Sequence, residues 1–182
     1  MTKKAHHHHV AAGPSVNEGM HMSAEARARM RNREKAVYHY YDDMGPGKGS
    51  CTWGVGILAH AGPCTKEELA SPVSEAAVEA EFSRRVAAAE AGVVRNVRNQ
   101  KLPQDQFDAL VSLTFNAGTG GASHTYAMVD RGDYGSAARN IRTLTSTHVN
   151  GKKVKARGLV ARRAEESAPF DAAASAAATA KK

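Results

Sequence analysis

The chain has 182 residues, room for one compact domain and too few for two of ordinary size with a linker. At 42% hydrophobic and 24% charged residues its composition is that of a globular protein, and it holds no run of about 18 apolar residues that could span a bilayer. The formal charge of +7 favours polyanions, but the cations are scattered among Ala and Glu with only 5% aromatic residues. That pattern argues against a nucleic-acid partner and leaves weak contact with anionic membranes or wall polymers.

Residues 1–22, with His6, His7, His8 and His9 ahead of Gly13 and Pro14, show no apolar period and are expected to be a flexible leader or tag outside the fold. Four adjacent His without acidic or Cys partners make a poor metal site. No secretory signal is visible, so the chain is expected to be made in the cytoplasm and to need another agent for release. From Ser23, a plausible N-cap with Glu25 in the first turn, the spacing of Ala26, Met30 and Val37 predicts a helix ending near Val37. Residues 38–62, rich in Tyr, Gly and alternations such as Thr52, Val55 and Ile57, predict a small β-hairpin region with turns at 45–49.

Pro63, Thr65 and Glu68 open a short helical turn. Pro72 and Ser74 then open a longer helix in which Val78, Phe82, Val86, Ala89, Val93 and Val97 recur at helical spacing up to Asn99, with Gly92 inside it as a point of close packing. Leu102 and Pro103 restart the chain into a buried helix marked by Phe107, Leu110, Val111, Thr114 and Phe115 and ending at 116–121. Helices near 123–130 and 133–144, a Lys-rich loop over 145–157, a last helix over 158–167 and a frayed, Ala-rich tail over 171–182 complete the expectation. The layout is α+β: a small β-containing lobe, then a larger helical lobe, together one domain over 23–170 with a cleft between the lobes suited to an extended polymer. A monomer is expected.

Splitting an acetal between two sugars takes a proton donor at the leaving oxygen and a second carboxylate to manage water or positive charge. Glu34 falls in the last turn of the first helix, where the helix end disfavours a second anion and so suits a proton donor. Arg31 and Arg33 are expected to face away from it. Asp43 follows nine positions on, with Asp42 as its competitor. Cys51 and Cys64, thirteen positions apart, either close a disulfide worth about 3 kcal/mol or remain two buried thiols. His39, His60, His124 and His148 have no spacing that specifies a metal, and no cofactor is expected.

Glu34, Tyr41, Asp43, Gly49, Cys51, Thr52, Gly54, Gly56, His60, Gly62, Pro63 and Cys64 together resemble the active-site stretch of the phage-type lysozymes, glycoside hydrolase family 24. Residues 102–112 running into Phe115-Asn116-Ala117-Gly118 resemble that family's central helix and F-N-x-G turn. Gly132-Asp133, Ala137-Ala138 and residues 158–165 resemble its closing helices, so the likeness covers roughly 25–170. One departure is the spacing from Asp43 to Thr52, nine positions where the family usually has six; the three extra residues fall in the 45–49 turn at small entropic cost.

The resemblance implies a lysozyme-like fold and an endolysin that hydrolyses the β-1,4 bond between N-acetylmuramic acid and N-acetylglucosamine in peptidoglycan, reached in the periplasm after holin-dependent release. Glu34 would be the general acid, while Asp43 and Thr52 would position or activate water. Asn116 and Gly118 would face the substrate. Trp53 is a further candidate for lining the sugar cleft, with packing under the hairpin the favoured reading. Arg162, or its neighbour Arg163, would orient Glu34. Two other readings stay open: a lytic transglycosylase, and a cationic module that binds the wall or permeabilises membranes, suggested by the basic balance and the 153–163 segment. A zinc amidase built from scattered His and a Cys is a third.

Overall fold

The computed structural model describes residues 13–149 and 152–180. It is an α+β fold with a small sheet lobe and a larger helical lobe. Helix α1, Ala24–Arg33, starts where expected: the Ser23 side chain accepts from Ala26 N, and Ser23 itself is held by Asp108 through its N–H (2.9 Å) and hydroxyl (2.5 Å). It stops at Arg33, four residues short of the expected Val37, because Glu34 turns extended (φ −82, ψ 98). The β-branched and aromatic run Val37, Tyr38, Tyr40, Tyr41 then pairs as strand β1, Val37–Asp42.

Strands β2, Cys51–Gly54, and β3, Ile57–His60, extend the expected hairpin into a three-stranded antiparallel sheet in the order β1-β2-β3. Tyr41 lies opposite Thr52, Asp42 opposite Cys51, and Cys51 opposite His60. Gly54 (φ +61) must lack a side chain, since a Cβ there would come within 2.9 Å of Ile57 Cδ1.

Helix α2, Lys66–Ala70, opens on a reciprocal cap between Thr65 and Glu68. Helix α3, Glu75–Asn96, buries Val78, Phe82, Val86, Ala89 and Val93, and ends three residues before the expected Asn99 with Val97 as its extended cap. Helix α4, Gln104–Asp130, is the core's axis: Phe107, Leu110, Val111 and Leu113 are fully buried. The two helices expected over this stretch run end to end across a kink at Gly118 (φ 73, ψ 163). Gly92 of α3 permits the close approach to α4, where a Cβ would stand 3.1 Å from Thr119 Oγ1.

Helix α5, Tyr134–Thr143, is followed by strands β4, Ser146–Val149, and β5, Lys152–Lys155, which pair antiparallel where a loop was expected. Helix α6, Arg157–Thr179, outruns the expected 158–167 and absorbs most of the Ala-rich tail. Ala is the best helix former, the buried Phe170 anchors this stretch, and Asp171 pairs with Arg142, so 171–179 is helical rather than frayed.

The expected leader also needs correction. Asn17 is fully buried; its amide donates to Val97 O (2.9 Å) and Gln100 O (2.8 Å), and its carbonyl accepts from Leu102 N (2.9 Å). One side chain thereby satisfies the backbone between α3 and α4, and Met22 joins the core, so residues 15–22 belong to the fold. The His tract lies outside the described residues.

Replacing Asn17 with Ala strands those three backbone groups in the interior. Urea unfolding of Asn17→Ala should show a loss of about 2–4 kcal/mol; a variant within 0.5 kcal/mol of wild type, by that same order-of-magnitude reckoning, contradicts this role.

Candidate active site

Three elements converge on Glu34. It caps the C-terminal end of α1, one residue beyond the helix, with its side chain 22% exposed. Arg162 of α6 donates from Nη1 to Glu34 Oε1 (3.0 Å), from Nε to Glu166 Oε1 (3.0 Å) and from Nη2 to the Ser112 carbonyl of α4 (3.1 Å). Arg163 donates to Glu166 Oε2 (2.5 Å), to Leu144 O (2.8 Å) and to Asn116 Oδ1 (2.5 Å). Ser112 Oγ adds a bond to Glu166 Oε1 (2.6 Å). Arg163 and Glu166 are buried, so each charge depends on its partners for the solvation it has lost.

Of the two arginines considered for orienting Glu34, Arg162 is the one in contact with it, while Arg163 holds Asn116 and the end of α5. Glu166 and Ser112 went unnoticed in the sequence; the four-residue spacing from Arg162 to Glu166 on one helix face was the available clue. Arg31 pairs with Glu79 and Arg33 with Glu165, so neither guanidinium meets the Glu34 carboxylate; Arg31 donates only to the Glu34 main-chain oxygen (3.2 Å).

The second acidic position divides cleanly. Asp42 accepts from Cys64 N (2.7 Å) with Oδ1 and from Gly47 N (2.6 Å) with Oδ2, so both its oxygens tie the sheet lobe together. Asp43 is exposed, and only its Oδ1 is engaged, by Ser50 N (2.8 Å). Strand alternation puts Tyr41 and its partner Thr52 on one face and Asp42 and Cys51 on the other. Burial first, and then the charge of Asp43, push the Tyr41 phenol above its ordinary value, which places Asp43 on the Tyr41 and Thr52 side. Gly49 (φ +79) makes room for this carboxylate: a Cβ there would lie 2.0 Å from Asp43 Oδ1.

Thr52 is buried and donates to Ser50 O (3.2 Å). Trp53 points to the opposite face, 6.3 Å from the Tyr40 ring and against the core, in keeping with packing. Asn116 is exposed but taken by Arg163, and Gly118 forms the kink beside it. A cavity of about 440 Å³ opens between α1, α4 and α6 behind the ion network, lined by Met30, Arg33, Ser112 and Glu166. None of Glu34, Asp43 or Thr52 lines it, and the position of the carboxyl groups is the better guide to chemistry than cavity size.

Cys51 and Cys64 are joined by a disulfide that pins β2 to the segment before α2. Beside it, His60 Nε2 meets Glu68 Oε1 at 3.0 Å. Among the described residues, Cys51, Cys64 and Glu68 are the one set of His, Cys, Asp and Glu side chains close enough to share a metal, and its sulfurs are consumed by the disulfide. No helix among the described residues is long and apolar enough to cross a membrane.

The family model described as phage lysozyme matches residues 31–166. A curated endolysin of Acyrthosiphon pisum secondary endosymbiont phage 1 is 36% identical over 74 residues, 40% of this chain; the match spans about half (51%) of that relative's length. Among solved structures, the endolysin from Escherichia coli O157:H7 phage FAHEc1 superposes with a TM-score of 0.67 at 24% identity, covering 84% of this chain and 94% of its own. The muramidase domain of SpmX from Asticaccaulis excentricus superposes with a TM-score of 0.63 at 25% identity, covering 83% and 98%.

Two outcomes follow from these contacts. Glu166→Gln leaves two buried guanidiniums short of their counter-charge and should destabilise by about 3–5 kcal/mol in chemical denaturation; an unchanged midpoint contradicts the network's role. His60 is shifted upward by its bond to the Ala61 carbonyl and then by Glu68, from an ordinary value of 6.5. Its stabilisation is therefore complete below about pH 6.5 and disappears as pH rises through the folded-state value. The stability gap between wild type and His60→Ala should close from pH 6 toward pH 9, as read from urea midpoints; a gap that widens contradicts it.

Proposed function

Since the chain belongs to the phage lysozyme family, we propose that it hydrolyses the β-1,4 bond between N-acetylmuramic acid and N-acetylglucosamine in bacterial peptidoglycan, with Glu34 as the general acid. The observation that carries this reading is the one-sided grip on Glu34. Arg162 holds Oε1, and Oε2 has no protein partner among the described residues, so one oxygen is anchored while the other is free to meet a glycosidic oxygen.

Asp43 is the second carboxylate. Its Oδ1 is pinned by Ser50 N, and its Oδ2 has no protein partner among the described residues. Thr52 spends its hydroxyl proton on Ser50 O and keeps lone pairs for accepting a water hydrogen. In the reaction, the Glu34 proton passes to the departing sugar oxygen as the glycosidic bond breaks. Water adds to the muramic acid carbon and gives its proton to Asp43. Two carboxyl groups and water suffice for the chemistry. The free Thr52 lone pairs favour hydrolysis over ring closure by a lytic transglycosylase, which needs no water.

The Cys51–Cys64 disulfide suits an enzyme that works outside the reducing cytoplasm, after release by a separate agent such as a holin. The net charge of +7 adds general attraction to an anionic envelope.

Glu34→Gln should lower lysis of chloroform-treated Gram-negative cells by at least about 10²-fold while the protein remains folded; full lysis by that variant would overturn the assignment. Asp43→Asn should lose turnover while remaining folded, whereas Asp42→Asn should lose stability first, because it breaks the bonds to Gly47 and Cys64. The reverse pattern, with Asp42→Asn stable and inactive, would transfer the role to Asp42.

A further inference from the structure

Cys51, Cys64, His60 and Glu68 form a cluster beside α2 that the proposed reaction does not use. Both sulfurs and a carboxylate oxygen of Glu68 lie within 4.8 Å of one another. Cys51 stands directly opposite His60 in the pairing of β2 with β3, and His60 Nε2 is 3.0 Å from Glu68 Oε1. A nitrogen and an oxygen ligand on one tetrahedral zinc ion stand about 3.3 Å apart, close to that separation. His60 Nδ1 donates to Ala61 O (3.0 Å), the kind of outer bond that turns the other ring nitrogen of an imidazole toward a metal.

Each of these positions is held by bonds that do not involve sulfur. Cys51 N donates to Gly62 O (2.8 Å), Cys64 N donates to Asp42 Oδ1 (2.7 Å), and Thr65 N donates to Glu68 Oε2 (2.7 Å). Opening the disulfide therefore frees two sulfurs in a pocket whose backbone stays in place. Rotation about the two Cα–Cβ bonds spreads them toward the separation of about 3.8 Å that two thiolates adopt on one zinc ion. Cys51 is fully buried while Cys64 and Glu68 are half-buried, so an ion reaches the pocket from the Cys64 side.

We propose that the reduced chain binds one structural Zn²⁺ through Cys51, Cys64, His60 and Glu68, so that metal and disulfide are alternative clasps of the same loop. A dithiol reductant gives two electrons and two protons to the Cys51–Cys64 bond and becomes a disulfide itself; the two new thiols then lose their protons to water as zinc binds. A disulfide oxidant reverses the exchange: it takes two electrons from the thiolates, the Cys51–Cys64 bond re-forms and Zn²⁺ leaves. Thr52 follows Cys51, and Asp43 follows the acceptor of Cys64 N, so the proposed catalytic side of the sheet lobe is clasped in either redox state.

The test adds Co²⁺ to the full chain opened with a phosphine reductant rather than a competing thiol. Cobalt on thiolate sulfur shows a near-ultraviolet charge-transfer band, which His6, His7, His8 and His9 cannot produce because they carry no sulfur. Reduced wild type should develop that band and lose it again when Zn²⁺ is added. The oxidised chain, and the double variant Cys51→Ser, Cys64→Ser, should show none. His60→Ala should bind at least about tenfold more weakly by the same band, since even an outer partner of a zinc ligand contributes that much. Zn²⁺ should also raise the urea midpoint of reduced wild type and leave that of the double variant unmoved, which separates a folded site from capture by the unfolded chain. No band in reduced wild type, a band without a rise in the midpoint, or His60→Ala binding as tightly as wild type overturns the proposal.

Discussion

A buried carboxylate between two guanidiniums, Glu166 between Arg162 and Arg163, is the contact on which the larger lobe's arrangement depends. It would be costly if any member were missing, because a buried charge without its partner loses several kcal/mol of solvation. With all members present it joins α6 to the Ser112 carbonyl of α4, to Asn116 beside the kink and to the end of α5. The remaining donor of Arg162 reaches Glu34 at the end of α1. The proposed proton donor is thus positioned by the same ion network that packs three helices, so orientation of the site and integrity of the lobe are one physical problem.

The sheet lobe solves a different problem, that of holding a short, Gly-rich loop in one shape. The disulfide fastens β2 to the segment ahead of α2, Asp42 uses both oxygens on Gly47 and Cys64, and Gly49 leaves the space occupied by the Asp43 carboxylate. Two adjacent acids differ because Asp42 closes strand β1 while Asp43 opens the turn that follows it. Asp42 cross-links the lobe, while Asp43 Oδ2 has no protein partner among the described residues. Tyr41 lies opposite Thr52 across the two strands that this turn connects.

Much of this was legible in the residues. The 3.6-residue recurrence of Val78, Phe82, Val86 and Val93 marked α3, and Ser23 and Ser74 marked helix starts, because local side-chain chemistry suffices for both. The sites of error are those where tertiary contacts outweigh local pattern. Val37 fits a helix face, yet it pairs across the sheet with Gly54. Residues 15–22 show no period because Asn17 binds by satisfying backbone groups rather than by burying an apolar stripe. The pairing of Thr147 with Val154 was readable from the Asn150-Gly151 dipeptide between two short β-branched runs, a pattern masked by its lysines. For the site, Glu34 and Asp43 were named from motif spacing and Arg162 from its place on the last helix, whereas Glu166 meets Ser112 54 positions away, a separation that no local window contains.

The central claim is that this arrangement delivers water, not an internal hydroxyl, to the muramic acid carbon. Digesting purified peptidoglycan in ¹⁸O-labelled water and weighing the released muropeptides by mass spectrometry addresses it directly. Hydrolysis predicts one heavy oxygen at each new reducing N-acetylmuramic acid end. Anhydromuramic ends without label would contradict it.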